Sequence, residues 1–87
     1  MSRGDVARAA PLFEESLALY REVEDSSGIA WSLLDLGQVA QAQGDLERAV
    51  TLFEESLALR RSIDDQSGIA TALDALGTVR QFQRDYT

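Results

Sequence analysis

The sequence predicts an all-α protein, four helices folded as an antiparallel array of helix hairpins. Three observations predict it. First, the chain repeats itself: residues 4–43 and 44–83 are two copies of one unit, identical at 24 of 40 positions. A period in that range marks a stacked architecture, in which each unit buries the apolar face of its neighbour. Second, apolar residues recur at helical spacing and not in alternation. Third, Gly-Asp pairs open both copies, at Gly4-Asp5 and Gly44-Asp45. That pairing ends one helix with a left-handed residue and caps the next with a carboxylate.

The first helix is expected near residues 6–24, where Ala9, Leu12, Phe13, Ser16, Leu17, Tyr20 and Val23 form one stripe. Pro11 lies inside that pattern, so the helix either starts late, with Pro11 near its first turn, or kinks there. The second, near 28–43, carries Ile29, Ala30, Leu33, Leu36, Gly37 and Ala40. The third, near 46–63, copies the first with Ala49, Leu52, Phe53, Ser56, Leu57, Arg60 and Ile63, and Thr51 in place of Pro11 makes it regular. The fourth, near 68–84, copies the second with Ile69, Ala70, Leu73, Leu76, Gly77 and Arg80. Asp25-Ser26-Ser27-Gly28 and Asp64-Asp65-Gln66-Ser67-Gly68 read as longer polar connections with serine caps. One domain is expected over residues 4–87, with 84–87 opening a third unit and 1–3 a start segment or appended remnant.

Composition excludes several function classes. There is no cysteine and no histidine, which removes thiol chemistry, the commonest general base and the commonest transition-metal ligand. Glu14-Glu15 and Glu54-Glu55 are adjacent on a helix and point about 100° apart, so neither pair spans a cleft for acid–base work. Asp64-Asp65 lacks the alternating ligands of a calcium loop. Ser16 and Ser56 have no activating base and read as small packing residues. Catalytic, cofactor and metal sites are therefore all expected to be absent. The net charge of −7, with 15 acidic residues against 8 arginines, opposes binding to nucleic acid. No apolar run is long enough for a bilayer span or a secretory leader, and a cytoplasmic protein is expected.

The run Ala30-Trp31-Ser32-Leu33-Leu34-Asp35-Leu36-Gly37, followed by Gly44-Asp45, Ala49, Phe53 and Ser56, resembles the tetratricopeptide repeat. In that family a helix A carries a large residue and then Leu-Gly, and a helix B carries Ala, an aromatic and a small residue. Leu33, Leu36, Gly37, Ala49, Phe53 and Ser56 take those places, with Leu73, Leu76 and Gly77 in the second helix A and Ala9, Phe13 and Ser16 in the first helix B. The order is thus B-A-B-A. The departures are a 40-residue unit in place of about 34, Arg61 for the proline after helix B, and Ala40 and Arg80 for the aromatic of helix A. The added residues are expected in the connection from helix B to the next helix A. Arg80 in a stripe position implies a last helix that is partly exposed there.

The resemblance implies a protein-interaction module with a protein or peptide partner. Its groove would be lined by the side of helix A on which the copies differ: Trp31, Leu34, Gln38 and Gln41 in the first, Thr71, Asp74, Thr78 and Gln81 in the second. Trp31 and Leu34 would be apolar anchors, the amides and hydroxyls would hydrogen-bond, and Asp74 would favour a cation. The family's clamp for a C-terminal carboxylate is not implied, because its Lys, Asn and Arg are missing from this face. A B-type helix at one end and an A-type helix at the other are complementary, which implies a fragment of a longer array or a homo-oligomer built by head-to-tail stacking or by helix exchange between chains. Leu12, Phe13, Tyr20, Arg80, Phe82 and Tyr86 are the candidate contacts. Two further readings stand beside this one: a self-assembling structural or engineered repeat, and a regulatory segment of a larger bacterial ATPase or transcription regulator.

Overall fold

A computed structural model describes the backbone of residues 3–86 and the side chains of residues 4–85. Four helices follow one another: α1 (Arg3–Glu22), α2 (Ser26–Ala42), α3 (Leu46–Ser62) and α4 (Gln66–Tyr86). Among the described residues there is no strand. Each helix packs on the next, most extensively α2 on α3, in a slab of 38 × 28 × 17 Å. The all-α antiparallel array is as the periodicity predicts.

Helix α1 runs through Pro11, so the late start is not what the chain adopts. A proline there withholds one N–H from the carbonyl of Ala7. Ala7 is exposed, and water can satisfy that carbonyl.

Gly44-Asp45 ends one helix and caps the next as the sequence predicts, but Gly4-Asp5 lies inside α1 and the other two connections correct the sequence reading. All three are the same three-residue joint: Val23-Glu24-Asp25, Gln43-Gly44-Asp45 and Ile63-Asp64-Asp65. The middle residue is left-handed in each, with φ of 56° at Glu24, 82° at Gly44 and 53° at Asp64. The Asp N–H then reaches back to the carbonyls of Tyr20, Ala40 and Arg60, each at 2.9 Å, the longer bond of a Schellman motif. The same Asp caps the next helix. Oδ1 of Asp25, Asp45 and Asp65 accepts from the N–H of Gly28, Arg48 and Gly68 at 3.1, 3.2 and 3.0 Å. Aspartates and not serines are therefore the caps, and the residues added to the unit lengthen helices instead of a loop. Asp25→Ala is expected to cost about 1 kcal/mol, the usual worth of an N-cap, read as a lower urea midpoint at unchanged slope.

The core forms where α2 is sandwiched. On one side Leu33 and Leu36 meet Leu17 and Phe13 of α1. On the other, Leu34 and Ala40 join Ala49, Phe53 and Leu57 of α3 and Ala72, Leu76 and Val79 of α4. Gly37 permits the α2–α3 approach, since a Cβ there would land on the Phe53 ring. The Ser56 hydroxyl donates to the Ala30 carbonyl at 2.8 Å across the same seam, which satisfies a buried polar group. In α4 the buried stripe is Ala72, Leu76 and Val79, while Leu73, expected in the core, is 47% exposed. Leu73 lies on the side of α4 that α3 does not cover. Arg80 is exposed, as its charge implied, with Glu54 Oε1 3.9 Å from its Nη2.

Candidate functional site

The site is built from the place where the two copies diverge most in chemistry. Tyr20 of α1 lays its ring over Gly28. At the matching place in the second copy stands Arg60, with its side chain packed over Gly68 in the first turn of α4. Arg60 is 0% exposed. None of Nε, Nη1 and Nη2 has a hydrogen-bond partner. What covers the guanidinium is the indole of Trp31, its centroid 4.4 Å from Cζ. A cation on an aromatic face is worth about 0.5–2 kcal/mol, more as water is excluded.

Carboxylates stand near this cation without bonding to it. The Asp65 carboxylate and the Arg60 guanidinium crowd the same spot over Gly68. On α2, one turn beyond Trp31, burial pushes the Asp35 carboxyl above its usual value, and the Arg60 charge pulls it back part of the way. A raised carboxyl contributes stability that is fully present below its unfolded pKa and is lost as pH rises through the folded value. Asp35 is therefore a small liability at neutral pH, reduced by Arg60.

Trp31 keeps 49% of its surface in solvent even while stacked. It sits on the stripe of α2 that also carries Gln38, exposed, and Gln41, half-buried. Thr71, Asp74, Thr78 and Gln81 are exposed along α4. The hydroxyls of Thr71 and Thr78 donate to the carbonyls of Ser67 and Asp74 at 3.1 and 3.0 Å, so they retain acceptor capacity only. Leu34 is the correction to this set. It is 2% exposed and belongs to the α2–α3–α4 core, and so is no groove anchor. Arg60, Gly68 and Asp65 were missed as site residues. The signal was present, because a charge in the stripe position of Tyr20 has to be accommodated by some new neighbour.

Of the candidate association residues, Leu12 and Tyr20 are exposed, Phe13 is half-buried against the Leu17 cluster, and Phe82 is 48% exposed. The side chain of Tyr86 lies outside the described residues. A separate cleft of about 320 Å³ opens where α1, α2 and α3 meet, with Glu14 and Arg48 at its mouth and Leu36, Val39 and Ala40 in its wall. None of the expected groove residues lines it. Among the described residues no acidic cluster is arranged to hold a metal ion, and no helix is long and apolar enough to cross a membrane.

Helix hairpins repeated at a fixed period, with a glycine or alanine at each close crossing, define a helical-repeat protein. The chain belongs to the tetratricopeptide repeat family, whose model matches residues 1–62 and 38–87. Members of that family generally mediate protein–protein interaction and are typically non-catalytic. Neither the curated proteins nor the solved structures contain a match to this chain.

Proposed function

We propose that the chain is a protein-interaction module that seats a partner segment along the side of α2 and α4 that carries Trp31. The observation that carries this reading is the Trp31–Arg60 pair. An aromatic ring, half in solvent and held flat by a cation beneath it, is an anchor whose orientation needs no ordering when a partner arrives. Arg60 is sealed beneath the ring and acts on a partner only through the orientation it gives Trp31. Gln38 and Gln41 of α2 and Gln81 of α4 supply adaptable polar contacts further along the proposed surface. Asp74 and the net charge of −7 favour a partner segment of basic character, drawn in by long-range attraction.

Trp31 is the sole tryptophan, so its emission reports on this site alone. A peptide selected from a displayed library against the folded chain should shift that emission on titration. Trp31→Ala is expected to weaken the same peptide by about tenfold or more, given that an aromatic hot spot is worth about 2 kcal/mol. The fold should survive, because the substitution opens Arg60 to water. Equal affinity for both proteins would remove Trp31 from the binding surface.

A further inference from the structure

The seam between α2 and α3 is written twice in this chain but closed only once. On the α3 side it consists of Ala49, Phe53 and Ser56, all fully buried. The same residues recur in α1 as Ala9, Phe13 and Ser16, which are only half-buried. On the α2 side the seam uses Ala30 and Gly37, both buried. These recur in α4 as Ala70 and Gly77, both exposed. The glycines show the difference most directly. A Cβ on Gly37 would meet the Phe53 ring, while a Cβ on Gly77 would meet nothing within 4 Å. Helices α1 and α4 thus carry the two halves of an interface whose closed form is on display in the middle of the same molecule.

We propose that α4 of one copy receives α1 of a second copy in the geometry of the α2–α3 seam. Phe13 of the partner subunit then covers Gly77, and the hydroxyl of the partner subunit's Ser16 donates to the Ala70 carbonyl, as Ser56 donates to Ala30. The contact is heterologous. Each copy still offers a free α1 and a free α4, so assembly extends as an open chain instead of stopping at a dimer. It is weaker than its template at three points. Asp74 and Arg80 replace the buried Leu34 and Ala40, and the Trp31–Arg60 stack becomes a Thr71–Tyr20 contact. With each copy at −7, the copies repel one another, so association should strengthen with added salt.

Sedimentation velocity across micromolar to millimolar concentration tests this. The wild-type average mass is expected to rise with concentration past that of a dimer, more steeply in high salt. Gly77→Ala is the informative variant. Its new methyl has open space in the single copy, and alanine is the better helix former, so its melting temperature should equal or exceed the wild-type value. In the proposed seam that methyl falls on the aromatic ring of Phe13 of the partner subunit, so the mass should stay at one chain. Trp31→Ala should associate as wild type does, which separates this interface from the peptide site. A wild type that remains one chain throughout, or a Gly77→Ala variant that associates undiminished, overturns the proposal.

Discussion

Phe53→Ala is expected to lose about 3–5 kcal/mol of stability, the usual range for emptying a buried aromatic site. Phe53 is fully buried, lies against Gly37 and belongs to the cluster that joins α2, α3 and α4. Little can collapse into the void. Across the seam stands Gly37, and on Phe53's own helix the neighbouring Ser56 is tied to the Ala30 carbonyl, so neither has a long side chain to swing in. A domain of this size holds roughly 4–13 kcal/mol in total at ~0.05–0.15 kcal/mol per residue, so the variant should be largely unfolded well below the wild-type urea midpoint. Phe13→Ala makes the same truncation at the matching place in the first copy. Phe13 is half-buried, and its loss should be about 1–2 kcal/mol on the area it covers. Urea unfolding followed by far-ultraviolet circular dichroism checks both. Equal losses at the two positions would show that the α2–α3 seam is not the centre of the core.

Arg60→Met is expected to go the other way, from neutral to a gain of about 1–4 kcal/mol, as when a buried ion is replaced by an apolar side chain of similar size. Arg60 has given up its hydration, and no hydrogen bond replaces it. The Trp31 stack and the neighbouring carboxylates return part of that cost. Methionine keeps the contacts over Gly68 and against the indole without the charge. The pH dependence gives a second reading. Without the arginine, nothing pulls the Asp35 carboxyl back toward its usual value, so the variant carries the larger penalty once Asp35 ionises. The gain should therefore be greatest at acid pH, where Asp35 is neutral, and shrink as pH rises through its folded value. A loss of about 2 kcal/mol or more at neutral pH, well inside the usual range for a damaging substitution, would overturn the reading of Arg60 as a buried charge without hydrogen-bond partners. A stabilising substitution that also lowers peptide affinity would mark Arg60 as a residue retained for binding.

Much of the fold was legible because duplication removes ambiguity. A stripe read once, as in Ala49, Phe53 and Ser56, could be chance, but read twice at one offset it is a packing surface. The joints were less legible. Ser26, Ser27 and Ser67 made two of them look longer and serine-capped, while the left-handed turn was carried by Glu24, a residue type with no such signal, and by Asp64, a type with only a weak one. The core of α4 was misplaced for another reason. Leu73 copies Leu33 in identity, but Leu33 is buried by neighbours on both sides, and burial belongs to the neighbourhood, not the letter. The site was legible only in half. Trp31 stood out as a difference between copies, while Arg60 was counted with the apolar stripe of α3 and its charge passed over. That the two meet 4.4 Å apart depends on α2 and α3 crossing at Gly37, which only the folded chain brings about.

The shared joint has a consequence for how such a chain can change length. Asp25, Asp45 and Asp65 recur every 20 residues, half the duplicated unit, and each closes one helix while opening the next by the same bonds. Splicing in or excising a single helix with its hinge would leave every remaining hinge chemically whole. What forbids the edit is the alternation of bulk and hollow: removing α2 would press Phe13 toward Phe53 with no glycine between them. The grammar of the array thus resides in its facing surfaces, and its punctuation is indifferent to which kind of helix comes next.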